Sequence, residues 1–261
     1  MPSSSAPPSL GSIAECWRYP VKSFQGLAVG HLEIDPKGID LDRAFGIIDV
    51  ATGRLLTAKR TAALLQAKAD DVSLTLPDGS TIAFADAGIH AALSAWLGRE
   101  VRLVASTEAG AVAYEMTFDP PNDHAEAFEI PVPIGTLLDI APVHLLTTAT
   151  LLACADARPE LDWDVRRFRP NLLADMAIEP WEEQSWIGRD LAIGSAVLRV
   201  TSPMVRCAMP LRAQPGGLGA SPGIFRALSE LNPEFPNHLG VCLDVVEPGR
   251  VEAGDVVALL D

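Results

Sequence analysis

The sequence predicts a mainly β protein of the α+β class, with two β-rich units and a few short helices packed outside them. Three observations carry this reading. Short segments alternate apolar and polar residues along most of the chain, the period of a half-buried strand. Turn signals such as PKG at 36–38, ATG at 51–53 and PDG at 77–79 separate several of them, at roughly the eight-to-twelve-residue spacing of barrels and sandwiches. Only HAALSAWLG, HLLTTATLLACADA and SPGIFRALSELN show helical patterns.

In chain order, residues 1–11 read as a disordered lead-in. IAECWRYPV, AVGHLEID, AFGIIDV, LLTAKR, VSLTLP and TIAFA follow as strands, HAALSAWLG as a helix stopped by Gly98, and VRLVAS as a strand again, closing a first unit at 12–105. A loop-rich, proline-containing stretch from about 106 to 142 opens the second unit, 106–261. There HLLTTATLLACADA reads as a strand end entering a helix, and DVRRFRPNLLAD as a strand behind a charged entry. LAIGSAVLRVTSPMVRC reads as one alternating strand, SPGIFRALSELN as a short helix, and LGVCLDVVEPGRVEAGDVVALL as two strands joined by a tight turn at PGRVEAGD. No repeat of 20 to 50 residues is visible.

The chain of 261 residues is 48% hydrophobic and 21% charged, a globular composition. A net charge of −14 argues against general affinity for nucleic acid or anionic membrane. Four scattered cysteines without a CxxC pair fit a reducing compartment. The N-terminus lacks the apolar core of a secretory signal, and no run approaches 18 apolar residues. The expectation is a soluble, cytoplasmic protein.

Against this acidic background, places where cations gather stand out. Lys22 and Ser23 in YPVKSFQG offer an ammonium and a hydroxyl, suited to phosphate or simply to a solvated turn. Arg43 enters an apolar strand and pairs with Asp42 or Asp40, or faces a ligand. In RRFRPN, Arg167 and Arg169 alternate, so an extended segment would project both from one face, and Pro170 biases Arg169 toward that geometry; Asn171 adds an amide. Two guanidinium forks on one face make an oxyanion clamp or a surface charge cluster. Thr147, Thr148 and Thr150 precede a helical pattern, where one is an N-cap or several receive an anion.

Cys16, Cys154 and Cys242 read as small buried hydrophobes. Cys207 differs: it follows Arg206 at the end of a strand pattern, and neighbouring positive charge favours the thiolate, the form that attacks electrophiles and binds soft metals. Local sequence leaves nucleophile and ligand both open. The five histidines show no zinc spacing, and GxSxG, GxxxxGK[ST] and GxGxxG are absent.

Taken in order, YPVKSFQG, LDRAFGIIDVATGRLLTAKR, DVRRFRPNLLAD, WIGRDLAIGSAVLRVTSPMVRC and LGVCLDVVEPGRVEAGDVVALL resemble the MOSC proteins, the group related to the C-terminal part of molybdenum cofactor sulfurase. More narrowly they are similar to members with an N-terminal MOSC β-barrel domain, which include the amidoxime-reducing component and its bacterial relatives. The resemblance implies an N-terminal β-barrel domain joined to a MOSC β-barrel domain, and a molybdenum–molybdopterin cofactor with Cys207 as the molybdenum ligand and catalytic thiol. It places Lys22, Ser23, Arg43, Arg169 and Asn171 around the cofactor, with Thr147 and Thr150 as phosphate candidates and Arg206 contributing.

The activity it implies is an oxidoreductase, independent of pyridoxal phosphate. It would reduce small N-hydroxylated compounds such as amidoximes and hydroxylamines with electrons from an external flavin, haem or iron–sulfur protein. A non-redox alternative is a sulfur or molybdopterin carrier using Cys207 as a persulfide or transfer thiol; a third is a double-barrel module holding some other anion. The sequence departs from the family in AMPLRAQPGGLG after Cys207, where relatives have an Asp-x-x-Thr-Gly-like segment, and at Lys59, where arginine is common.

Overall fold

The computed structural model describes residues 9–120, 122 and 124–260. Its first part holds β1 (Ser9–Arg18), β2 (Leu27–Val29), β3 (His31–Asp35), β4 (Gly38–Ile39), β5 (Phe45–Asp49), β6 (Lys68–Ala69), β7 (Ser73–Thr75), β8 (Thr81–Ala83), α1 (Ile89–Leu97) and β9 (Val101–Ala105). Then come β10 (Ala113–Met116), β11 (Phe128–Pro131), β12 (Val143–Thr147), α2 (Thr148–Ala157), the single turn α3 (Val165–Phe168) and β13 (Leu172–Met176). The chain continues through β14 (Asp190–Ile193), β15 (Ala196–Val205), α4 (Ile224–Leu231), β16 (His238–Glu247), β17 (Gly249–Glu252) and β18 (Val256–Leu259).

The expected mainly β class is what the chain adopts. Seven strands close a barrel in the order β13, β12, β16, β15, β14, β18, β1, with β1 pairing back onto β13 and β2 attached beyond it. Closure leaves these strands no free edge. Inside it, Leu145, Leu172, Leu191, Leu198, Val241 and Val257 are fully buried, each offered by the inward-facing half of an alternating strand. The N-terminal part forms short sheets, β5–β9 and β6–β7–β8, over a core of Val21, Phe24, Ile47, Leu64, Leu65, Leu74 and Leu93. Helices α2, α3 and α4 cover the barrel's flank through Cys154, Phe168, Ile224 and Leu228.

Several sequence expectations change. Residues 1–8 lie outside the described set, but Ser9–Gly11, expected in a disordered lead-in, begin β1. Gly11 makes this possible, since a Cβ there would sit 2.1 Å from the Asp175 carbonyl oxygen. LLTAKR contributes only a bridge at Leu55. The Thr57 carbonyl accepts from the amides of Arg60 and Thr61, which turns the chain at this point. LAIGSAVLRVTSPMV is two strands, β14 and β15, reversed at Gly194, whose φ of 58° is left-handed. PGRVEAGD contains a strand, β17, whose partner is the distant β3.

The charged entry DVRRF is helical rather than extended. Asp164 Oδ1 accepts from the Arg166 amide and caps one turn, which Arg169 ends in the left-handed region at φ 54°. Arg167 and Arg169 therefore do not share a face. Arg167 is fully buried and donates to the carbonyl oxygens of Pro210, Arg212 and Gly219 and to Asp162, holding the loop after Cys207.

Candidate functional site

A cavity of about 180 Å³ opens between the barrel and the N-terminal part. Lys22, Ser23, Arg43, Arg169, Asn171, Arg206 and Cys207, separated by up to 185 positions, all line it. Each arrives by a distinct local device. Lys22 and Ser23 follow β1, and Ser23 takes a left-handed turn at φ 70° so that its Oγ accepts from the Ala58 amide at 3.0 Å. Arg43 is also left-handed, at φ 49°, and is paired with Asp42. With Arg169, three lining residues hold a conformation that costs a non-glycine residue energy, a feature that concentrates at functional sites.

Arg43 and Arg169 both lie over the ring of the buried Tyr19, at 4.4 and 4.1 Å from its centroid. The Tyr19 hydroxyl donates to the Pro170 carbonyl, which fixes the ring beneath them. Such stacking holds guanidinium planes without consuming all their donors. Burial pushes Arg169 down to about 10, so it remains cationic at neutral pH. Asn171 spends its amide on structure: Oδ1 accepts from the His144 amide and Nδ2 donates to the Trp17 carbonyl.

Arg206 is buried, donates to the carbonyl of Phe168, and leaves Nε without a partner. Its Nη1 meets His144 Nε2 at 3.4 Å, while His144 Nδ1 lies 3.4 Å from the Arg169 carbonyl. Burial, with Arg206 beside it, holds the His144 imidazole well below its usual range. The neutral ring therefore carries its proton on Nδ1 and accepts from Arg206.

Three residues that the sequence reading did not single out as site residues complete the wall. Lys59 reaches 3.7 Å from the centroid of the Tyr114 ring. Asp139 bridges the two lysines, Oδ1 at 2.7 Å from Lys22 Nζ and Oδ2 at 2.9 Å from Lys59 Nζ. Burial alone would raise its carboxyl, but the two ammoniums outweigh it and hold the group well below the carboxylate range. Burial presses Lys22 down to about 8, against the pull of Asp139. No spacing in the sequence marks Asp139, which sits in the loop-rich stretch as an ordinary acidic residue.

Thr147 and Thr150, the phosphate candidates, lie outside the cavity's described lining. Thr147 is the N-cap of α2, its hydroxyl accepting from the Thr150 amide at 3.3 Å, and Thr150 donates to the buried Glu183 carboxyl at 2.9 Å. Both hydroxyls are spent inside the fold.

Cys16, Cys154 and Cys242 are buried, whereas Cys207 is half-exposed. Burial pushes the first two thiols up to about 11 and about 12. Cys207 follows the last ladder pair of β15, Val205 with His238, and packs on the N-terminal core. The charged form of Lys59, opposed by burial, is favoured by the Asp139 carboxylate beside it. The cavity therefore presents five cations, one carboxylate and one partly exposed thiol among its described residues. Such a wall suits a polyanion with a soft, thiophilic end.

Among the described residues no helix is long and apolar enough to cross a membrane. A family model described as the MOSC domain matches residues 135–258, and one described as the MOSC N-terminal beta barrel domain matches 10–108. No curated protein matches the chain. Among solved structures, YuaD from Bacillus subtilis is similar at 11% identity and a TM-score of 0.45, over 95% of this chain and 94% of its own. YiiM from Geobacillus stearothermophilus is similar at 14% identity and a TM-score of 0.36, over 58% of this chain and 72% of its own.

Proposed function

The chain belongs to the MOSC proteins that carry an N-terminal MOSC β-barrel domain, and on that premise we propose that it is a molybdenum-cofactor oxidoreductase acting on N-hydroxylated compounds. The MOSC family is associated with binding and sulfuration of the molybdenum cofactor. The observation that carries the proposal is the half-exposed Cys207 thiol opening onto a cavity whose cations come from both matched regions, Lys22, Arg43 and Lys59 from the first and Arg169 and Arg206 from the second.

The residues fit such a group. Among the described residues no three His, Cys, Asp or Glu side chains converge on a bare ion. One thiolate instead suits a metal whose remaining sulfur ligands arrive on an organic dithiolene. The unpaired Arg206 Nε and the stacked forks of Arg43 and Arg169 are donors for a phosphate. When bound, the cofactor supplies the two-electron redox chemistry.

Cys207 would hold the metal, Arg43 and Arg169 would take the phosphate, and Lys22 with Lys59 would offset the remaining negative charge. Ser23, Asn171 and His144 hold the surrounding backbone in place. Overall, the N–OH compound, two electrons and two protons give the N–H compound and water. The electrons come from an external flavin, haem or iron–sulfur protein.

The test is metal analysis of wild type and Cys207→Ser made in a cofactor-competent host, then assay with a chemical reductant and benzamidoxime. Stoichiometric molybdenum and benzamidine formation in wild type, both lost in the variant, are expected. Wild type without molybdenum overturns the proposal, and a labile sulfur adduct on Cys207 without turnover assigns the carrier role instead.

A further inference from the structure

Cys207 is a wall of two cavities. Beyond the cationic one lies a second chamber of about 260 Å³, sharing Lys59, Met116, Arg206 and Cys207 with the first. Its outer walls are of another kind: Phe118, Pro120, Ala208 and Phe225, with Thr117 and Asn237 as the uncharged polar exceptions. A chamber of ~150 Å³ accommodates benzene, so this one has room for one ring and a small polar substituent.

Phe118 lies between β10 and β11, 91% exposed, its ring stacked on Phe128 at 4.4 Å. That stacking braces an aromatic ring that is otherwise unburied. Phe225 rises from α4 on the barrel's flank. Asn237 is left-handed at φ 61° and clamped to Arg206 twice: its Nδ2 donates to the Arg206 carbonyl and its own carbonyl accepts the Arg206 amide, both at 2.9 Å. Its Oδ1 is buried and accepts no hydrogen bond. A buried acceptor left unpaired is costly until a ligand donor meets it. No carboxylate stands among the chamber's described lining residues, whereas Lys59 and Arg206 do.

We infer that this chamber is the substrate site and selects neutral, planar aromatic N-hydroxy compounds, the ring lodging between Phe118 and Phe225 and an N–H or O–H donating to Asn237 Oδ1. This rests on Cys207 marking the reacting end, as proposed above. A cationic substrate is disfavoured because two fixed cations and no described carboxylate face it. Phe118 and Asn237 are residues of specificity.

Ligand-observed NMR titration of benzamidoxime against wild type, Phe118→Ala, Phe118→Trp and Asn237→Gly tests this, with N-hydroxyguanidinium as the cationic, ring-free probe. Glycine keeps the left-handed turn at 237, and the exposure of Phe118 keeps its variants folded. Binding weakens about 5-fold in Phe118→Ala and Asn237→Gly and survives in Phe118→Trp. In cofactor-loaded protein, Phe118→Ala raises KM and leaves kcat within about 2-fold. Unchanged binding in both Phe118→Ala and Asn237→Gly, or N-hydroxyguanidinium bound as tightly as benzamidoxime, overturns the inference. If the binding pattern holds in a wild type that contains no molybdenum, the proposed function falls and the chamber stands. If turnover occurs with no dependence on Phe118 or Asn237, the reverse is true.

Discussion

Glu183 is fully buried beneath α2, with no cation among the described residues paired to it and both carboxyl oxygens 2.9 Å from Thr150 Oγ1. Burial raises it to about 7 from 4.5, against the smaller pull of its hydrogen bonds. Below 4.5 the group is protonated in both folded and unfolded chains. Between there and about 7 the unfolded chain gives up a proton that the folded chain keeps, so folding stability falls as pH rises through this window and levels off above it. Two and a half pH units at ~1.36 kcal/mol each set a ceiling of about 3 kcal/mol. Glu183→Gln removes the penalty, so the variant matches wild type near pH 4 and is more stable by up to about 3 kcal/mol at pH 8, or about 6 to 12 °C in melting temperature. Urea unfolding of both proteins from pH 4 to 8 measures it. Parallel stability curves for wild type and variant would refute the reasoning, since titration of all other groups cancels in their difference.

Three further outcomes follow from the site. Native protein treated with a maleimide takes up about one equivalent at Cys207, and the other three thiols react only after unfolding, read by mass spectrometry, because Cys16, Cys154 and Cys242 are buried with raised thiol pKa values. Asp139→Ala leaves the Lys22 and Lys59 ammoniums without their shared carboxylate. Melting drops by about 2 to 8 °C for a loss of ~1–2 kcal/mol, and millimolar phosphate restores it more in the variant than it stabilises wild type. Arg169→Lys keeps the charge but loses the planar fork over Tyr19, so molybdenum content after gel filtration falls at least about 10-fold while the melting temperature moves little.

Residues whose role is set by their neighbours in the chain were legible. The helical spacing of HAALSAWLG and its stop at Gly98, an N-cap among Thr147, Thr148 and Thr150, and the strand that stops just before Arg206 and Cys207 all depend on contacts within a few positions. What could not be read depends on distant partners. β17 exists because β3, more than 200 residues earlier, offers it an edge. Arg167 and Arg169 look equivalent in RRFRPN, yet an aspartate cap turns the segment helical and sends one guanidinium into the core and the other to the cavity. Asp139 carries no motif, and only the convergence of two lysines from elsewhere gives it meaning.

The placement of β1 has a consequence for how the chain acquires this shape. Ser9 pairs with Ala258 on one side while Gly11 pairs with Met176 on the other, so the earliest described strand is the seam between a middle and a last one. During synthesis that seam strand leaves the ribosome well before either barrel neighbour, with only the short β2 close behind it to pair with, and the barrel closes only when β18 has followed. The cleft that holds Cys207 opposite the early lysines is thus assembled late, and a fragment beginning after residue 105 would be a barrel missing a stave.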